Sequence, residues 1–298
     1  MEIMCLSLIG KKGYLFSNRM NREDFTNLEE KLEARCNCKN TFLNYRRALW
    51  LFYYWATSPF YGNCDGELTQ ENIERFIDYR RYEGGKKPRT LNVTACALKK
   101  AAAIRGNDVK VTNVPKIEQQ FPEILTEEEV NIVIENIRDK RDKAVWALLY
   151  DCALRLSELR NLNMDDVDFE KRRIHIRRKG NVPQVLPFTE KTALILKEYL
   201  HERGKRGYSD KHPPFFIGTQ PRISVYNVER IVKEYARRLL GKTGITPHSL
   251  RHSRATALRE RGVGLEKIKD FLGHSNIQTT FIYARMTPKE LETLSLEW

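Results

Sequence analysis

The side chains best suited to chemistry lie in the second half of the chain: two arginines, a lysine, two histidines and a tyrosine. In chain order they are Arg155, Lys179, His248, Arg251, His274 and Tyr283. Cations and hydrogen-bond donors of this kind suit a phosphodiester, because attack on phosphorus builds negative charge on the non-bridging oxygens. An arginine binds two of those oxygens at once and keeps its proton. The set therefore indicates phosphoryl transfer.

The phenol of Tyr283 is the expected attacking group. A tyrosine hydroxyl is a poor nucleophile near neutral pH, so it needs a base or a strong positive field. The departing alkoxide needs a proton, which a lysine or a histidine can supply. The product would be a covalent phosphotyrosine that keeps the phosphoester bond energy, so a second hydroxyl can reverse the step without ATP. This chemistry requires no metal and no cofactor.

The segments that carry these residues resemble the motifs of the tyrosine site-specific recombinases, the family of the Xer recombinases, phage-type integrases and Cre. Arg155 lies in Ala-Leu-Arg-Leu-Ser-Glu-Leu, similar to the family's Gly/Ala-Leu-Arg-x-x-Glu-Leu stretch. His248 and Arg251 lie in His-Ser-Leu-Arg-His, and His274 follows Leu-Gly. The resemblance implies that both arginines and both histidines contact the scissile phosphate and that His248 also moves the nucleophile's proton.

The resemblance also assigns the remaining site residues. Lys179 matches the family's β-hairpin lysine, which protonates the leaving 5′ oxygen, and Tyr283 matches the nucleophile that forms a 3′-phosphotyrosine. Glu158 would orient the neighbouring cations. Four protomers on two DNA sites would exchange strands through a Holliday junction. The protein would be a monomer or a dimer when it is free of DNA. The tail after Tyr283 would dock either on its own subunit or on a neighbour.

Composition agrees with a nucleic-acid partner. The chain of 298 residues has a formal net charge of +13 and a pI near 9.4, an excess that attracts polyanions. Its six cysteines form no regular framework, which is typical of free thiols in a reducing cytoplasm. No stretch is apolar enough to predict a membrane span, so we expect a cytoplasmic, nucleoid-associated protein. His248 and His252 have the spacing of metal ligands, but the intervening Arg251 would repel a cation, so no metal site is expected.

Hydrophobic periodicity predicts a mainly α fold with a small three-stranded β-sheet. Four helices predict a small helical domain over residues 22–106, after an N-terminal arm at 1–21, and the resemblance implies that this is the DNA core-binding domain. Residues 107–122 predict a linker, and the resemblance implies that 123–298 form a tyrosine-recombinase catalytic domain with a C-terminal tail.

Basic residues of both domains are expected to contact DNA phosphates, although a solvated helix face would have the same composition. They are Arg46, Lys86, Lys87, Arg89, Lys99, Lys100, Arg173, Arg177 and Arg178.

Two other functions stay open on the sequence alone. A type IB topoisomerase relaxes DNA with nearly the same residues, and a DNA-binding regulator can retain an inert set. The sequence does not separate Xer-type resolution of chromosome dimers from integration and excision of a mobile element, and the DNA target is not readable from it.

Overall fold

The computed structural model describes residues 22–36, 38–58, 64–117, 123–178, 181–205, 213–218 and 221–273. The chain divides into two compact units between Gln119 and Gln120. The domain boundaries predicted from sequence stay a prediction. The predicted arm, the hairpin tip at Lys179 and everything from His274 onward lie outside the described residues.

The first unit contains four described helices, as the periodicity predicted. They are α1 (Arg22–Ala34), α2 (Lys39–Thr57), α3 (Gln70–Tyr82) and α4 (Pro88–Ile104). Helix α3 begins after Thr69, whose hydroxyl accepts a hydrogen bond from the backbone N–H of Asn72, and α4 has Pro88 at its first turn.

The core of this unit is rich in aromatic rings. Phe52 and Phe76 are fully buried, and their rings meet edge to face with centroids 5.5 Å apart. Part of the segment predicted as a linker packs on the same unit: Val111 is buried, and Thr112 donates from its backbone N–H to Glu74 at 2.8 Å. Residues 107–117 are therefore attached to the first unit.

The second unit contains seven described α-helices, a short 3₁₀ helix and one sheet. The elements are α5 (Glu127–Asn136), α6 (Lys140–Asp151), α7 (Leu156–Asn161), the 3₁₀ turn Met164–Asp166, β1 (Val167–Asp168), β2 (Arg173–Arg177), β3 (Pro183–Pro187), α8 (Glu190–Lys205), α9 (Val225–Leu240), α10 (Pro247–Glu260) and α11 (Leu265–Leu272).

The sheet is antiparallel with strand order β1-β2-β3, and Ile174 pairs with Leu186. This architecture confirms the predicted fold class. Helix α5 begins with a capping box, in which the Thr126 hydroxyl accepts the backbone N–H of Glu129 and the Glu129 carboxylate accepts the backbone N–H of Thr126.

The core of the second unit surrounds α6. This helix is buried along most of its length, and Trp146 is fully enclosed. Burial on all sides makes α6 a fixed support for the loop that follows it. No helix among the described residues is long and apolar enough to cross a membrane.

Candidate active site

The end of α6 delivers Arg155 to the site. The chain leaves the helix through Ala153, which is buried and has a left-handed φ of +48°. This conformation costs a non-glycine residue roughly 1–2 kcal/mol, so the surrounding packing must hold it. The turn leads directly to Arg155, the residue before α7, whose side chain is 31% exposed.

Helix α10 delivers Arg251. The helix begins after Thr246, whose hydroxyl accepts from the backbone N–H of Ser249, and Pro247 occupies its first turn. Arg251 is 1% exposed and donates from Nη1 to the Ala153 carbonyl at 2.6 Å. The strained turn after α6 is thus held by the second predicted phosphate-binding arginine.

Both arginines converge on the C-terminal end of α11. Arg251 donates from Nη2 to the Leu272 carbonyl, and Arg155 donates from Nη2 to the Gly273 carbonyl at 3.0 Å. The carbonyls at a helix C-terminus have no intrahelical partner and carry the negative end of the helix dipole, so guanidinium groups are favoured there. Two arginines far apart in sequence are therefore anchored on consecutive residues, immediately before His274.

Gly273 permits this arrangement. Its φ is +61°, and a Cβ added at this position would lie 2.8 Å from Nε of Arg178. Glycine adopts a left-handed conformation without steric cost. The Leu-Gly stretch thus ends α11 in a conformation that leaves room for an arginine against the backbone.

Glu158 lies between two arginines. Its Oε1 accepts from Nη1 of Arg155 at 2.8 Å, and its Oε2 accepts from Nη1 of Arg178 at 2.6 Å. The backbone N–H of Arg155 also donates to Oε2 at 2.8 Å. Burial alone would raise the pKa of this carboxyl, but the charge of Arg178 and the hydrogen bonds from both arginines outweigh it and lower the pKa. Glu158 is therefore a carboxylate that orients Arg155.

The structure differs from the sequence-based prediction at Arg178. We predicted a phosphate contact, but this side chain is buried and forms an ion pair with Glu158 in which both side chains are 5% exposed. The strand pattern contains the signal that we missed. Successive residues of a strand face opposite sides, and Ile174 and Ile176 are buried while Arg173 and Arg177 are exposed. Arg178 continues the buried series.

The two histidines of α10 differ in exposure. His248 lies at the start of the helix and is exposed, whereas His252 is buried. Their ring centroids are 4.6 Å apart in an edge-to-face arrangement. Among the described residues, no group of three or more His, Cys, Asp or Glu side chains is placed to hold a metal ion.

The structure thus brings together Arg155, Glu158 and Arg251, with His248 on the same helix as Arg251. Lys179, His274 and Tyr283 lie outside the described residues, and their roles stay predictions. The grouped side chains form a cationic centre at the end of α11. Arginines fixed in this way can stabilise an oxyanion without reorganising at the moment of reaction.

The basic residues predicted to contact DNA differ in their exposure and in their partners. Lys87, Arg89, Arg173 and Arg177 are exposed. Arg46 forms an ion pair with Glu29 at 2.7 Å.

The remaining three predicted contacts, all in the first unit, are half-buried: Lys86, Lys99 and Lys100. Lys100 donates to the Arg35 carbonyl at 2.6 Å.

Comparison with known proteins identifies the family. The model of the phage integrase family matches residues 123–290. The chain is 34% identical over 283 residues to tyrosine recombinase XerA of Pyrococcus horikoshii, which covers 91% of this chain and 93% of that protein. It is 36% identical over 272 residues to tyrosine recombinase XerA of Pyrococcus furiosus, covering 88% of each.

Solved structures share the fold. A crystal structure of XerA recombinase aligns with a TM-score of 0.53 and 23% identity, covering 93% of this chain and 98% of that one. A post-cleavage complex of the XerH site-specific recombinase bound to palindromic difH substrate aligns with a TM-score of 0.72 and 19% identity, covering 98% of this chain and 87% of that one.

The curated relatives are recombinases, which favours recombination over the topoisomerase and inert-regulator alternatives. The motif order, the matching family model and relatives that extend over most of the chain agree with each other. The chain belongs to the phage integrase family and is a tyrosine recombinase.

Proposed function

We propose that this recombinase cleaves and rejoins double-stranded DNA at a specific site, with Tyr283 as the nucleophile. The phenolic oxygen of Tyr283 forms a bond to the scissile phosphorus, and the bond from phosphorus to the 5′ oxygen breaks. His248 accepts the phenolic proton, and Lys179 gives a proton to the 5′ oxygen. The 3′-phosphotyrosine is then attacked by a 5′ hydroxyl of the partner duplex, which restores the tyrosine.

The convergence of Arg155 and Arg251 is the observation that carries this proposal. The two guanidiniums are anchored on the carbonyls of Gly273 and Leu272, so they share one location directly before the predicted phosphate ligand His274. Arg155 has five N–H donors and is 31% exposed, so it can meet the non-bridging oxygens while it stays anchored. Such preorganised donors are worth about 10²–10³-fold in rate for each one removed.

Access to the two arginines differs. Arg155 is partly open to solvent, whereas Arg251 is enclosed. We infer that the phosphate meets Arg155 first and that contact with Arg251 follows a local rearrangement on DNA binding. Glu158 keeps Arg155 oriented during that step, because it holds both the backbone N–H and the side chain of this arginine.

The working assembly is proposed to be four protomers on two DNA sites, since reciprocal exchange needs two cleavages in each of two duplexes. Strands would pass through a Holliday junction. Lys87 and Arg89 on the first unit and Arg173 and Arg177 on the second are exposed cations suited to the phosphates that flank the cleavage point. The mass of the complex with DNA, measured by light scattering, tests the stoichiometry.

The nucleophile is tested by Tyr283→Phe, with Tyr226→Phe as a matched control because Tyr226 is an exposed surface tyrosine. Each protein is incubated with fragmented DNA of its source organism, and covalent complexes are isolated under denaturing conditions and sequenced. We expect adducts from the wild type and from Tyr226→Phe, and none from Tyr283→Phe, which should retain DNA affinity. Covalent adducts formed by Tyr283→Phe would refute the assignment.

The sequences enriched in these adducts supply the site for rate measurements. A duplex of that sequence with a nick beside the scissile phosphate traps the cleaved state. The short fragment that carries the released 5′ hydroxyl diffuses away, so it cannot reverse the reaction. Cleavage can then be followed as a single turnover at saturating protein.

A further inference from the structure

The guanidinium of Arg178, in the second unit, connects three elements of the active site. Arg178 donates from Nη1 to Glu158 of α7, from Nε to Gln184 of β3 at 2.6 Å, and from Nη2 to the Phe271 carbonyl of α11 at 3.0 Å. Gln184 in turn donates to the Asp270 carbonyl at 2.7 Å. An arginine fork bonded on three sides has little freedom to move.

These contacts extend the set of caps on α11. Its final carbonyls at Asp270, Phe271, Leu272 and Gly273 accept from Gln184, Arg178, Arg251 and Arg155 respectively. The first two caps come from the β2–β3 hairpin, and the last two are the predicted phosphate-binding arginines. A shift of the end of α11 would therefore move the anchors of both arginines.

Arg178 also limits the motion of Glu158. The terminal torsion of a glutamate side chain has a broad, shallow energy profile, so a carboxylate held at one oxygen alone can turn. Oε2 accepts from Arg178 at 2.6 Å and from the backbone N–H of Arg155 at 2.8 Å. Arg178 is the side-chain partner that helps to fix the plane in which Oε1 receives Nη1 of Arg155 at 2.8 Å. The chain of contacts runs from Arg178 through Glu158 to Arg155.

We propose that Arg178 is a positioning residue for cleavage: it fixes Arg155 through Glu158 and fixes the end of α11 through the Phe271 carbonyl. The inference rests on the proposed function, because it assigns Arg178 to the same phosphate site. Arg178 does not touch DNA in this role. A basic side chain within a basic segment thus acts inside the protein while Arg173 and Arg177 face outward.

The test compares Arg178→Met with Arg203→Met. Both replace a buried arginine of the second unit, and Arg203 donates to the Pro214 carbonyl away from the site. Single-turnover cleavage at saturating protein should fall about 10–100-fold in Arg178→Met, the size expected for misplaced catalytic groups. DNA affinity should stay at the wild-type level, because the Arg178 side chain is buried. Arg203→Met, measured at a temperature of equal folded fraction, should cleave at the wild-type rate.

A double-mutant cycle separates positioning from a general loss of structure. If Arg178 acts through Arg155, then Arg178→Met should slow cleavage much less in an Arg155→Lys background than in the wild type. Arg178→Lys, which keeps the charge and loses the fork, should recover part of the rate. Equal losses in both backgrounds would overturn the proposal.

A spectroscopic measurement is independent of cleavage. The Nε–Hε resonance of Arg155, assigned by its loss in Arg155→Lys, should shift in Arg178→Met and stay in place in Arg203→Met. An unchanged resonance or an unchanged cleavage rate in Arg178→Met overturns the positioning role while the proposed function stands. If the wild type forms no covalent adduct, the proposed function fails, and the positioning of a catalytic arginine fails with it even where the resonance shifts.

Discussion

At the scale of single residues, the site depends on how each charge is compensated. Arg155 and Arg178 share Glu158, and the ion pair with Arg178 is almost completely removed from solvent. Removing one partner of such a pair is costly because the other charge remains buried and uncompensated. The Glu158 carboxylate therefore orients Arg155 and also stabilises the folded protein by compensating the buried charge of Arg178.

Glu158→Gln should lower the free energy of unfolding at pH 7 by roughly 3–5 kcal/mol, the cost of leaving a buried partner unpaired. The pKa of Glu158 is lower in the folded protein than in the unfolded chain, where it is about 4.3. Its contribution is therefore complete above the unfolded value and is lost as the pH falls through the folded value. The difference between wild type and variant should shrink below about pH 4. Urea unfolding from pH 7 to pH 3 measures it.

Glu198→Gln is the matched control for this measurement. Glu198 is exposed and pairs with Lys140, so its removal should change the free energy of unfolding by less than about 1 kcal/mol at every pH. A loss in Glu158→Gln that is the same at pH 7 and pH 3 would contradict the linkage argument.

At the scale of elements, the end of α11 organises the site. The arginines reach its carbonyls from the loop after α6, from α10 and from the end of β2, so no single helix carries the centre. Short helices are weakly stable alone, and α11 buries only Ile268 and Leu272. Its end is held by guanidinium caps together with the buried side chain of Leu272.

Gly273→Ala tests the close approach at this helix end, with Gly241→Ala as control. Both glycines end a helix with a left-handed φ, of +61° and +69°, but an added Cβ meets Arg178 only at position 273. Gly241→Ala should cost about 1–2 kcal/mol for the backbone conformation and leave cleavage unchanged. Gly273→Ala should cost more and slow cleavage. Equal effects of the two substitutions, measured by thermal unfolding and single-turnover cleavage, would argue against the displacement of Arg178.

At the scale of the whole molecule, charge governs the encounter with DNA. A net charge of +13 attracts a polyanion at long range, and binding to phosphates releases counterions, so affinity falls steeply with salt. Exposed cations that contact phosphates set the slope of log affinity against log salt concentration. Buried arginines such as Arg178 should not contribute to this slope.

The double variant Lys87→Gln, Arg89→Gln should reduce the slope of log affinity against log salt by about 2, since each phosphate contact contributes about 1. The control Lys140→Gln, Lys191→Gln removes the same charge from exposed lysines that pair with Glu198 and Glu135. Fluorescence anisotropy with a duplex between about 50 and 200 mM salt, a range over which binding to phosphates weakens steeply, gives both slopes. The same slope in both double variants would indicate a general charge effect.

Local patterns in the sequence determined the chemistry and most of the elements. The motifs around Arg155, His248 and Arg251 carry the residue types that phosphoryl transfer requires, and hydrophobic periodicity and capping residues such as Thr126 mark helices without reference to the rest of the chain.

The tertiary structure decided which cations face inward and what holds them. Arg155 and Arg178 reach carbonyls 118 and 93 residues away, and such separations leave no trace in local spacing. A run of basic residues reads as one exposed patch, yet the strand alternation buries Arg178 and leaves Arg177 outside. A buried guanidinium is stable only where a carboxylate and free carbonyls meet it, and only the folded chain brings Glu158 and the end of α11 to the same place.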